Sequence, residues 1–304
     1  MGMRRPTVAE HAPAADPDIF QRIMTSHSEA VTALPHVSAT RYVQPLREGG
    51  SLPAVVDTDD GLFVVKFRGA GQGAKALLAE LLVGQMAQVL GLRVPELAVV
   101  HVPPPFGRSE PDPEIQDLLQ QSHGINIGLR YLDGAFNFDA RAAGELVTAD
   151  FATRLVWLDA FVTNPDRTHR NPNLLIWQRT PWLIDHGAAL YAHHDWESVD
   201  TERVLTPFPL IRDHVLLERS DDLEAFDAVA TASLSTVVLR NILAALPDEL
   251  LGAADATTGP EAARERYMDY LSRRLQPPRR FVAEAIEARA RRRREPPRPL
   301  GARR

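Results

Sequence analysis

Between residues 74 and 92 apolar residues recur at positions that include 77, 78, 81, 82, 86, 89 and 90. That is the spacing of an amphipathic helix, and it stops at Gly91 with Pro95 beyond. Ahead of it the pattern is extended. "SATRYVQPL", "LPAVVDT" and "LFVVKF" read as strands, the last two joined by an Asp-Asp-Gly turn at 59–61 that marks a hairpin. Strand-like "PELAVVHV", a polar insert at about 105–122 and strand-like "INIGLRYLDG" follow the helix. From about residue 134 helical periodicity takes over, with "ADFATRLVWLDAFVT" and then helices over 222–246, 261–275 and 278–292. Two short apolar runs, "NLLIW" and "PWLID", interrupt it around a turn at "QRTP". "DPDIFQRIMTSH" predicts one more helix near the start, and no segment repeats. The order predicts an α+β fold: an extension over 1–33, a β-rich lobe with one helix over 34–133, a mainly helical lobe over 134–290, and a basic tail over 291–304. A cleft is expected between the lobes.

Composition changes this picture in three places. The 304 residues contain no cysteine, which excludes disulfides, a thiolate nucleophile and Cys-ligated metal. No run approaches the roughly 18 apolar residues of a membrane span and the start has no apolar leader, so a cytoplasmic protein is expected. The formal charge of -6 conceals a basic end, "RRRREPPRPLGARR", read as a solvated tail and as the one segment with a reach toward nucleic acid. Most useful is the choice of cation. Of the 34 basic residues only Lys66 and Lys75 are lysines. A compact ammonium on a flexible stem does what a planar guanidinium cannot where one phosphate oxygen must be reached.

The candidate chemistry collects in "VTNPDRTHRNPNLLIWQRTPWLIDHG", residues 162–187. Asp166 and Asn171 stand in the D-x-x-x-x-N spacing by which a phosphoryl-transfer loop supplies a base and a metal-binding amide. Asp159 and Asn164 repeat the spacing, but Asp159 lies inside an apolar helix and takes a helix-end or supporting role, whereas Asp166 follows Pro165 in a loop. A hairpin made of the two apolar runs would return Asp185 beside Asn171. An acid leaving a buried strand opposite an amide is a place to hold Mg²⁺, with Gly187 letting the backbone turn away. Upstream, Lys66 on a strand and Glu80 on the next helix form the pair that grips phosphates. Gly49, Gly50 and Ser51 sit between two strands, where backbone amides can approach phosphate.

Each piece has a plain reading: a solvated edge lysine, a surface glutamate, a hairpin turn, a turn-initiating aspartate. The ordered set in a β-then-α chain favours phosphoryl transfer. His186, His193 and His194 invite a zinc reading, which the adjacency of the last two opposes, because chelation from one helix face needs i, i+4 spacing.

"GLFVVKF", "LAELLVGQMAQVLGLRVPE", "NPDRTHRNPNLLIW" and "WLIDHGAAL" resemble the HipA-like kinases over about residues 36–290, with a core also similar to that of phosphatidylinositol kinases. The resemblance implies a bilobed protein-kinase-like fold and transfer of the γ-phosphoryl group of ATP to a Ser or Thr hydroxyl. It implies Asp166 as base, Asn171 and Asp185 on Mg²⁺, Lys66 on phosphate, and Ser51 as a serine open to phosphorylation in cis. Thr168 stands where the family has a histidine, with His169 next. The family's extra N-terminal subdomain has no counterpart in the pattern, so no antitoxin-type partner is assigned. The acceptor, a protein or a small molecule, would meet the loops at about 188–215. A nucleotide-binding pseudokinase and a small-molecule or lipid phosphotransferase are the rival readings.

Overall fold

The computed structural model of the protein describes residues 33–46, 52–71, 73–108, 110–254 and 258–294. The helix predicted from "DPDIFQRIMTSH", the Gly49-Gly50-Ser51 loop and the tail from 295 onward lie outside the described residues.

Strands β1 (His36–Pro45), β2 (Ala54–Thr58), β3 (Gly61–Lys66), β4 (Leu97–Val102) and β5 (Gly124–Arg130) close into a barrel in the order β1-β2-β3-β5-β4. The length of β1 makes closure possible. Its first residues run parallel to β4, the rest pair antiparallel with β2, and two register shifts interrupt the second pairing and bend the strand. The β2–β3 hairpin turns at Asp59 and Asp60 into Gly61, whose φ of +94° a side chain would oppose. Inward-facing Val37, Val56, Phe63, Val65 and Val100 fill the barrel as a small core of their own.

Helix α1 (Gly73–Val89) departs from the amphipathic expectation: every side chain from Ala76 to Ala87 is buried. The reason is its position. It packs on β5 on one side and on helices of the second half on the other, and a helix covered all round has no use for a polar face. The polar insert hides α2 (Pro113–Gln121), started by Asp112, whose carboxylate caps the N–H groups of Glu114 and Ile115, with Pro113 in the first turn.

After β5 the chain becomes helical. A two-residue strand β6 (Phe136–Asn137) precedes α3 (Ala149–Phe161), and the predicted hairpin follows as β7 (Leu174–Trp177) and β8 (Thr180–Leu183), joined to β6 in one small sheet. Its turn residues Gln178 and Arg179 both take positive φ, which suits a two-residue hairpin loop. Then come α4 (Thr201–Val204), α5 (Leu223–Ser233), α6 (Thr236–Ala244), α7 (Asp248–Ala254), α8 (Gly259–Leu275) and α9 (Arg280–Arg294). The single helix expected over 222–246 is two, because the Ser235 side chain caps the N–H of Val238 and starts α6 afresh. The first four arginines of the basic tail are helical rather than loose, with Arg291 paired to Glu284 and Arg292 to Glu218.

The β-rich and helical parts follow one another as expected, yet outside the barrel's small interior the larger core does not divide between them. One apolar cluster runs from α1 through Ile127 and Leu129 into α3 and the later helices as far as Ala288. Among the described residues no single helix is long and apolar enough to cross a membrane.

Candidate active site

Lys66 ends β3 pointing inward, only 8% exposed. Its Nζ donates to Glu80 Oε2 at 2.8 Å and to Asp185 Oδ1 at 2.7 Å. Glu80, from α1, is wholly buried, and the same Oε2 accepts the backbone N–H of His186 at 2.6 Å. One ammonium therefore joins the barrel, the central helix and the segment that leaves β8. Burial alone would lower the Lys66 pKa; Glu80 and Asp185 outweigh it and hold it above the ordinary value. Burial alone would raise that of Asp185, and the ammonium again prevails, holding the carboxyl below its usual range. Both groups are charged at neutral pH. Lys75, the other lysine, is at the start of α1, its Nζ 3.5 Å from the carbonyl of His194.

Asp166 is half-buried in the loop after α3. Its N–H donates to Asn164 Oδ1 at 3.1 Å, and its Oδ2 accepts Asn171 Nδ2 at 2.8 Å and Asn173 Nδ2 at 3.1 Å. The hairpin does bring Asp185 back to this loop, but beside another asparagine. Register pairs Leu174 with Leu183, so the next residues to meet are Asn173 and Ile184, whose N–H donates to the Asn173 carbonyl at 3.1 Å. Asn173 Nδ2 then lies 3.5 Å from the Asp185 carbonyl. The backbone leaves the strand by a left-handed residue at Asp185 itself, φ +55°, ahead of the glycine expected to do so.

Beneath the loop lies a buried ionic network. Asp159 in α3 accepts Asn164 Nδ2 at 3.1 Å on Oδ1, and Arg167 Nε at 2.6 Å and His214 Nε2 at 2.9 Å on Oδ2. The supporting role assigned to Asp159 is what the geometry displays. Burial alone would raise its pKa; Arg167 and His214 bring it down to about 2. His214 Nδ1 accepts the N–H of Leu216 at 3.0 Å, so the neutral ring carries its proton on Nε2, facing the acid. Arg167 Nη1 donates to the carbonyls of Asn173 at 2.5 Å and Ile184 at 3.4 Å. One buried acid thus fixes, through one arginine, the backbone on both sides of the hairpin. Sequence spacing exposed none of these pairings beyond Asp159 with Asn164.

The histidines do not converge. His186 Nδ1 faces Arg167 at 3.2 Å, and His193 Nδ1 faces the Tyr267 hydroxyl at 3.0 Å. Among the described residues no group of three His, Cys, Asp or Glu side chains could hold a metal alone, which removes the zinc reading there. Mg²⁺ takes one or two carboxylate or amide oxygens while phosphate oxygens complete its shell; Asp185 offers such a carboxylate, and Asn171, which bonds to Asp166 rather than standing beside Asp185, offers such an amide oxygen.

No curated protein matches the sequence. Among solved structures, the crystal structure of a Helicobacter pylori proinflammatory kinase, CtkA, aligns over 86% of this chain and 100% of that one at 11% identity, with a TM-score of 0.46. Residues 41–277, most of the chain, match the family described as HipA-like kinase, and the protein belongs to that family.

Proposed function

We propose that the protein transfers the γ-phosphoryl group of ATP, with Mg²⁺, to a Ser or Thr hydroxyl of a protein. The observation that carries this reading is the position of Lys66, an ammonium held between Glu80 and Asp185, with Asn173 linking the Asp185 backbone to Asp166. Such transfer needs little covalent work from the protein beyond positioning and charge. Lys66 supplies a fixed positive charge for phosphate. Glu80 aims it, and because Glu80 also holds the His186 N–H it keeps Asp185 in register with the lysine. Asp185, held ionised, and Asn171 would hold Mg²⁺, whose charge would offset that of the phosphates. Asp166 has both amides on Oδ2, so Oδ1 is assigned to the acceptor. The acceptor's O–H proton passes to Asp166, its oxygen bonds to the γ-phosphorus, and the bond to the β-bridging oxygen breaks to release ADP.

The test separates binding from chemistry. Asp166→Ala should leave ATP affinity, read by calorimetry, nearly intact while cutting [γ-³²P]ATP labelling of lysate proteins by about 10² to 10⁴. Wild-type protein that binds nucleotide and labels nothing would support the pseudokinase reading. Labelling by Asp166→Ala at the wild-type level would take that residue out of the mechanism.

A further inference from the structure

Two asparagine amides reach one oxygen of Asp166, and they are unlike. Asn171 is exposed. Asn173 is 8% exposed at the mouth of β7, with φ +48°, a left-handed conformation that asparagine tolerates better than most side chains. Its carbonyl is claimed from two directions, by the N–H of Ile184 and by the guanidinium of the buried Arg167. Its Nδ2 lies 3.1 Å from the Asp166 carboxylate, on Oδ2, and 3.5 Å from the backbone carbonyl of Asp185. A side chain locked by packing and by a fixed backbone keeps one orientation, and an exposed amide does not.

Resting on the phosphoryl-transfer reading above, we propose that Asn173 is a positioning residue and the permanent holder of Asp166. Asn171, whose amide oxygen would take the cation, is the exposed donor of the two and would be the one to shift if the metal claimed it. Without Asn173, the base would lose its last amide donor at the step that needs it oriented. With Asn173, Asp166 keeps one charge-assisted hydrogen bond throughout. The two asparagines of "NPN" then have separate duties, one to the base and one to the metal.

Asn173→Gly isolates the amide from the backbone, since glycine keeps the positive φ without strain. ATP affinity with and without Mg²⁺ is measured by calorimetry, and labelling of lysate proteins from [γ-³²P]ATP in parallel, for wild type, Asn173→Gly and Asn171→Ala. Asn173→Gly should bind Mg-ATP within about twofold of wild type and transfer at least about tenfold more slowly, the split expected when only the reacting geometry is lost. Asn171→Ala should lose the Mg-dependent part of ATP affinity. Asn173→Asp, which keeps the size of the side chain but sets a carboxylate against Asp166, should also bind and fail to transfer, and it serves where the glycine variant melts below assay temperature. Wild-type labelling by Asn173→Gly alongside an active wild type overturns the proposal alone. Loss of Mg-dependent binding in Asn173→Gly also overturns it, by making Asn173 a metal ligand. An inactive wild type overturns the phosphoryl-transfer reading and this proposal with it.

Discussion

His193 displays at the scale of one residue what burial does to a titratable group. Its ring is wholly buried against Tyr267, and burial first, then His194 and Lys75, push its pKa from 6.5 down to about 3. The folded protein keeps it neutral where the unfolded chain takes up a proton. Its contribution to stability is therefore complete above about pH 6.5 and is lost as pH falls toward 3, at up to about 1.4 kcal/mol per pH unit. His186, pushed down to about 4 by burial, acts in the same direction. Urea midpoints should thus decline between pH 7 and 5, and His193→Gln should flatten the decline; an unchanged slope in that variant would show that His193 is not the group titrating. Single residues also mark how far sequence can be read. Lys66 was legible because the chain almost never uses lysine, and Asp166 because it carries a partner five residues on. Asn173 left one usable signal, an asparagine ready for left-handed backbone at a strand entry. His214 left none, since it meets Asp159 only when the chain has folded across 55 positions.

At the scale of elements, periodicity predicted most strands and the helix that matters. It failed where burial was two-sided or a cap intervened: α1 was taken as amphipathic, α2 was hidden in polar residues despite its Asp-Pro start, and Ser235 split a long helix. The placement of α1 rests on a close crossing that apolar spacing does not reveal. A Cβ at Gly84 would lie 2.8 Å from Leu97 Cδ1 on β4, so the missing side chain lets helix and strand approach. Gly84 is one turn beyond Glu80 on the same face, and what displaces one displaces the other. Gly84→Ala needs only a methyl group of Leu97 to yield, and its gain in helix propensity offsets much of the cost. Gly84→Val should destabilise by about 1–3 kcal/mol through overpacking and weaken the grip of Glu80 on Lys66. Chemical denaturation of both variants beside ATP affinity checks this. A Gly84→Val protein as stable as wild type would mean that the crossing is not close in solution.

For the whole molecule, the continuity of the core decides how the parts behave together. The β-rich and helical regions could have been two bodies sharing a cleft, but α1 serves both: it carries Glu80 toward the barrel's Lys66 and packs its other side on α6 and α7. Removing either region would uncover one side of a helix whose central side chains are all buried, so the larger core is complete only with both. Lys66 from the barrel and Asp185 from beyond β8 make the same connection within the site. Thermal unfolding should accordingly be one cooperative transition, with calorimetric and van't Hoff enthalpies equal. On the proposed function Mg-ATP would be held by groups from both regions, and it should then move that transition as a whole, by about 2.7 kcal/mol of added stability at a hundred times its dissociation constant. EDTA or Asp185→Asn should remove the metal-dependent share of the shift. Two separate transitions of which ATP moves only one would show that α1 does not bind the regions into a unit. An equal shift with Mg²⁺ and with EDTA would take the cation away from Asp185, leaving its carboxylate only the task of holding Lys66.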